Sequence, residues 1–221
     1  MAAGKGVERS GVAVIVPTTA GAIQLLGLRW SQRIPSSRVV LGNETSDQCE
    51  RWTKDYNSLL RPGDPMRALL GLPEGGGCRL VVSAEIDHGR SWIVPVAAAH
   101  FADARAQAVH ADFSRARMMI WGTGAIDFSQ PETADQAKIL ENDYHLTSKI
   151  DLSREHFSAA AHDGVPVLAL LPAGPDAERA AGILRKVLGQ QAHHIEIVKS
   201  LSDIIRPIEA FVRKGDFNAP P

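Results

Sequence analysis

Leu152–Pro172 reads LSREHFSAAAHDGVPVLALLP, and the fold class turns on this stretch. Its first part is polar and Ala-rich, with apolar residues at helical spacing. Asp151 is a candidate N-cap with Glu155 as its capping partner, and Gly164 is a stop. The pattern predicts a helix over 152–163. Val165–Leu171 then switches to a continuous apolar run, which suits a strand covered on both faces. Downstream, Asp176–Leu188 predicts a helix, His194–Lys199 a strand and Leu201–Val212 a final helix. Helix, strand, helix, strand, helix in that order implies a layered α/β fold.

Upstream, Gly11–Pro17 (GVAVIVP) reads as a second fully covered strand, with Ile23–Leu28 and Arg38–Leu41 as further strands. Ser46–Leu60 and Asp64–Leu70 are helix candidates separated by the Pro62-Gly63 turn. Glu74–Gly77 is a surface break. No Lys-Ser/Thr follows it, and a strand follows instead of a helix, so it is not a phosphate cradle. Arg79–Ile86 (RLVVSAEI) predicts a strong strand, which runs through Asp87-His88-Gly89-Arg90-Ser91-Trp92 into a helical pattern over Ile93–Val109. Pro95 falls in that helix's first turn, where its missing N–H costs nothing. Ala116–Asp127 reads as two strands broken at Gly122-Thr123-Gly124. Ser129–Thr147 is polar and helix-compatible around Ala134–Leu140, and residues beyond Lys214 are expected to be disordered.

With 221 residues, the expectation is one domain over residues 1–214. The 24 Lys+Arg against 25 Asp+Glu give no electrostatic case for nucleic acid or an anionic membrane as partner. Aromatics at 5% argue against a base-stacking surface. Cys49 and Cys78 lack CxxC spacing and nearby paired His ligands, so neither a metal site nor a disulfide framework is expected. The apolar run Val12–Val16 is too short for a signal-peptide core or a membrane span. A cytoplasmic protein without cofactor is the expectation.

Ser91 is the leading candidate for chemistry. It follows Gly89-Arg90 at a strand-to-helix corner, where a hydroxyl stands clear of the backbone and the helix N-terminus offers N–H groups to an oxyanion. The plain structural alternative is an N-cap serine. GRSW is not a GxSxG elbow, because Ile93 stands where the second glycine belongs. A Ser–His–Asp reading has His88, His100, His110, His145, His156 and His162 to choose from, and sequence does not choose. Glu85 and Asp87 flank the turn, and strand alternation puts them on one side.

The order of these elements resembles the proteolytic domain of Lon-type Ser–Lys peptidases. HGRSWIVPVAAAH is similar to the family's nucleophile turn and small-residue helix, and Gly122-Thr123-Gly124-Ala125-Ile126 to its T-G-E-I/V-like strand. LSREHFSAAAHDG and VPVLALLP are similar to its lysine-bearing helix and following strand, and HHIEIVKSLSDIIRPI to its closing strand and helix. The likeness spans about Arg79 to Ile208. It implies a ribosomal S5 domain 2-like fold with a mixed sheet and packed helices, a Ser91 nucleophile, and Thr123 assisting near a lysine. The turn departs from the family at Arg90 and at Trp92, bulky where the family has alanine. Aligning the helix that ends at Gly164 puts Arg154 at the base position, and a guanidinium keeps its proton. Lys149, beside a 128–148 segment that looks like an insertion, is the remaining base candidate. The first expectation is therefore a catalytically divergent or silent Lon-like domain acting as a subunit or adaptor. The alternative is an active, ATP-independent Ser–Lys endopeptidase using Ser91, Lys149 and Thr123. With no GxxxxGK[ST] motif in the chain, any substrate unfolding falls to a separate ATPase. Family members form rings, so a homo-oligomer is a further expectation.

Overall fold

The structure is a computed structural model that describes residues 9–42, 49–85, 89–129, 133–189 and 194–214. Its centre is β1 (Val12–Pro17), whose six residues are all buried. Val12, Val14 and Val16 pack into one core, and Ala13 and Ile15 into a second core on the opposite face. That double burial is why the run is continuous rather than alternating.

β1 forms an antiparallel hairpin with β2 (Ala22–Ser31), and β2 pairs antiparallel with β4 (Gly77–Val82). β3 (Arg38–Leu41) lies parallel to β4 at the edge. On its other side β1 pairs parallel with β5 (Met118–Gly122), followed in parallel by β8 (Val167–Pro172) and β9 (His194–Val198). The result is a mixed seven-stranded sheet in the order β3-β4-β2-β1-β5-β8-β9. A small second sheet pairs β6 (Ile126–Asp127) with β7 (Lys138–Ile139).

Helices cover both faces, giving the α/β architecture expected from the alternating pattern. One face carries Trp52 and Tyr56 of α1 (Glu50–Leu59), Met66 of α2 (Pro65–Leu69), the apolar side of α3 (Ile93–Asp103), and Ile204, Ile208 and Phe211 of α7 (Leu201–Lys214). The other carries Leu146 and Ile150 of α4 (Leu146–Leu152), Phe157 and Ala160 of α5 (Arg154–His162), and Ala180, Ala181 and Leu184 of α6 (Ala177–Leu188). Cys49 and Cys78 are both buried, and burial pushes the Cys78 thiol up to about 11.

Several expectations change. Ala134–Leu140 holds no α-helix. A 3-10 turn at Ala134–Gln136 runs into β7, because Ala137 and Ile139 are buried while Lys138 and Leu140 are exposed, an alternation of period two. The helix expected over 152–163 is α5, which begins two residues later at Arg154. Asp151 lies inside a separate preceding helix, α4, instead of capping α5, and the two helices meet at Ser153. Ser153 Oγ donates back to the Lys149 carbonyl at 2.8 Å, an i−4 bond that competes with the helical ladder and bends the chain. Strand β4 stops at Val82, so the alternation argument does not reach exposed Glu85. Asp87, His88 and the tail beyond Lys214 lie outside the described residues. Among the described residues, no helix is long and apolar enough to cross a membrane, and no group of three or more His, Cys, Asp or Glu side chains could hold a metal ion.

Candidate active site

The parallel strands β1 and β5 end side by side, and the site lies just beyond their carboxyl ends, where crevices in α/β sheets commonly open. Thr18 and Thr19 follow β1, and Gly122-Thr123-Gly124 follow β5. The Gly124 N–H donates to the Ser91 carbonyl at 2.7 Å, and the Val94 N–H donates to the Gly124 carbonyl at 3.0 Å. These two bonds fasten the entry of α3 to the end of the sheet. Gly124 has φ +139, and a Cβ there would sit 2.9 Å from Val94 Cγ2, so the close approach needs glycine.

Ser91 is half-buried, one residue ahead of the Trp92 N-cap position, and makes no side-chain capping bond to the helix. Its hydroxyl instead meets Lys149, whose Nζ lies 3.1 Å from Ser91 Oγ and 2.7 Å from Thr123 Oγ1. Thr123 is fully buried, and Lys149 is only 3% exposed. Burial alone lowers the Lys149 amine from the usual 10.5 to about 8. At pH 7 roughly a tenth of such an amine is neutral, against roughly 0.03% at 10.5. An amine at this position can accept the Ser91 hydroxyl proton while donating one of its own to Thr123.

All three candidate residues therefore converge, although they come from different layers. Ser91 leads into α3 on one face of the sheet, Lys149 belongs to α4 on the other, and Thr123 sits at the sheet's end. The expected alternatives fall elsewhere. Arg154 lies on the surface, where its guanidinium bonds Asp151 at 2.8 and 3.0 Å. No described histidine bonds Ser91: His100 is buried against Tyr56 Oη at 2.9 Å, and His156 packs on Phe113. His145 borders the cleft without touching the hydroxyl. Trp92 turns into the core edge-on to Trp52, with ring centroids 5.6 Å apart, and leaves the cleft beside Ser91 open.

That cleft has a volume of about 360 Å³. Arg90 and Ser91, Ala125 and Leu140, and Asn142 to His145 line it together with Lys149. The backbone N–H groups of Ser91 and Trp92 have no backbone acceptor among the described residues and stand at the start of α3. They are the natural donors to an oxyanion.

Two residues of the site carry no motif that would single them out in the sequence. Tyr144 Oη accepts from the Ala125 N–H at 3.1 Å and donates to the Leu140 carbonyl at 2.8 Å, and its ring lies 5.7 Å from Lys149 Nζ. Ser153, fully buried, accepts from Trp121 Nε1 at 2.8 Å while donating to the Lys149 carbonyl, so β5 holds the helix that carries the amine. Neither the chain nor any part of it matches a known family model, and no curated protein matches it.

Proposed function

We propose that the chain is an active Ser–Lys hydrolase of the Lon-like type, an ATP-independent endopeptidase on a ribosomal S5 domain 2-like fold. The observation that carries this reading is the 3.1 Å contact between Lys149 Nζ and Ser91 Oγ, made by an amine whose burial leaves it partly neutral near pH 7. A silent domain was expected from Arg154 at the base position and from Trp92 beside the nucleophile. Lys149 reaches the hydroxyl from five positions upstream of Arg154, and Trp92 is buried away from the cleft.

The neutral amine of Lys149 takes the Ser91 hydroxyl proton as Oγ attacks the scissile carbonyl carbon. The carbonyl π-bond opens to an oxyanion, which the N–H groups at the start of α3 receive. Collapse expels the leaving amine, which takes the proton back from the Lys149 ammonium and leaves an acyl-Ser91 ester. Water, deprotonated by the same amine, hydrolyses the ester and restores the hydroxyl. Thr123 holds the amine in line through its 2.7 Å bond.

The substrate class is an unfolded protein or peptide segment. Folded substrates would require a separate ATPase, and self-association into a ring would follow the habit of the family that the sequence resembles. The test is cleavage of casein by the purified chain. Activity is expected, with Ser91→Ala and Lys149→Ala each lowering it at least a thousandfold, and Thr123→Val about tenfold to a hundredfold. Full activity in Lys149→Ala would overturn the dyad. An inert wild-type chain with an intact fold would return the reading to a subunit or adaptor.

A further inference from the structure

An ammonium has three N–H donors. Ser91 and Thr123 take two from Lys149, and beside the third lies no further hydrogen-bonded oxygen among the described residues but the Tyr144 ring, 5.7 Å away from centroid to Nζ. The ring is itself held at its tip, because Tyr144 Oη is clamped between the Ala125 N–H and the Leu140 carbonyl. It is 8% exposed and forms the cleft wall next to Lys149. We infer that Tyr144 is a positioning residue whose clamped ring keeps water off the Lys149 amine and so makes this lysine a usable base. The inference rests on the Ser–Lys reading of the site and adds the residue that tunes it.

A ring near an amine acts in two opposed ways. Its face attracts the cation, which favours the protonated form, and its bulk displaces water, which disfavours it. At 5.7 Å the attraction is near the limit of its range. The displacement of water is not so limited, since Lys149 is almost fully covered. Other titratable or charged groups do not account for the amine's state. Arg90 on the nucleophile turn, and Asp143 and His145 on the segment entering α4, line the same cleft. Among the described residues none of these forms an ion pair with Lys149, and neither does any group on α5 or α6, which pack against α4. Burial is the cause that acts.

The test is an NMR titration of the full chain labelled with [13C]lysine, following the Lys149 ε-carbon identified by its loss in Lys149→Met. The wild-type midpoint is expected near 8, with Tyr144→Phe within half a unit because the ring remains. Tyr144→Ala is expected to move the midpoint up by one unit or more, toward the free-lysine value, as water enters. Where alanine unfolds the chain, Tyr144→Val removes the ring, keeps an apolar stem and carries the same expectation. A midpoint in the ring-less variant at or below the wild-type value overturns the inference. So does a Phe variant that shifts as far as the ring-less one, since the clamp alone would then be responsible. The titration reads Lys149 whether or not the chain hydrolyses anything, so an inert wild type with the expected midpoints removes the peptidase reading alone. In an active chain, the rising limb of kcat/KM against pH should move upward with the same variant.

Discussion

Lys149 works at a pH where burying its charge opposes folding. The folded-state value of about 8 lies below the 10.5 of an ordinary lysine, so the unfolded chain binds the proton more tightly. Below pH 8 both states are protonated and the full penalty applies, on the order of 3 kcal/mol. Between 8 and 10.5 the folded state releases its proton first, so stability rises with pH, and above 10.5 the penalty has gone. Lys149→Met, which loses two hydrogen bonds as well as the charge, is therefore expected to stabilise the chain at pH 7 by about 1–3 kcal/mol. That gain should shrink to nothing by pH 10.5 in urea denaturation. A Met variant no more stable than wild type at pH 7 would count against a buried, strained amine. In the active chain, kcat/KM should rise with pH with a midpoint near 8. Ser91 was legible as a hydroxyl at a glycine turn before a helix, whereas Thr123 and Lys149 became candidates only through the resemblance to the Lon-type domain. Tyr144 and Ser153 were not legible, because each acts through a partner brought from a distant part of the chain.

Two local devices fix the geometry at the scale of elements. The first is the α4–α5 junction, where Ser153 accepts from Trp121 and donates to the Lys149 carbonyl. Ser153→Ala would leave a buried indole N–H without a partner, at a cost of about 1–3 kcal/mol. In an active chain it should also lower kcat more than it raises KM, because the helix bearing the amine loses its tie to β5. The second is Gly124. Gly124→Ala puts a methyl 2.9 Å from Val94 Cγ2 at φ +139, so a loss of at least about 2 kcal/mol is expected, measured by thermal melting. The sequence pattern located most strands and helices within a few residues, since burial repeats along them. It missed α4, because seven residues with apolar side chains only at Leu146, Ile150 and Leu152 are too few to fix a period. It also misread 137–140, where four residues are too few to separate period two from helical spacing.

At the scale of the molecule, β1 serves both cores at once, with alternate residues in each. Neither core can lose β1 and keep its sheet, so the two are expected to unfold together. Labelling with 5-fluorotryptophan separates them: Trp52 and Trp92 report the first core, and Trp121 the second. Their 19F signals should vanish at one urea midpoint. Midpoints separated by more than about 0.5 M would instead mean that the faces melt independently. The layered arrangement was legible because runs such as 11–17 and 165–171 are apolar without alternation, which only a doubly covered sheet accommodates. The meeting of the two helical layers at one hydroxyl was not legible, since it depends on how far each layer sits along the strands.

Because Ser91 and Lys149 ride on opposite layers, their 3.1 Å contact acts as a vernier between them. A slide of one layer by half an ångström leaves every core contact nearly intact, yet in an active chain it would detune the proton transfer. If the chain is active, warming should therefore dim catalysis several degrees before the chain melts, and cooling should restore it in full.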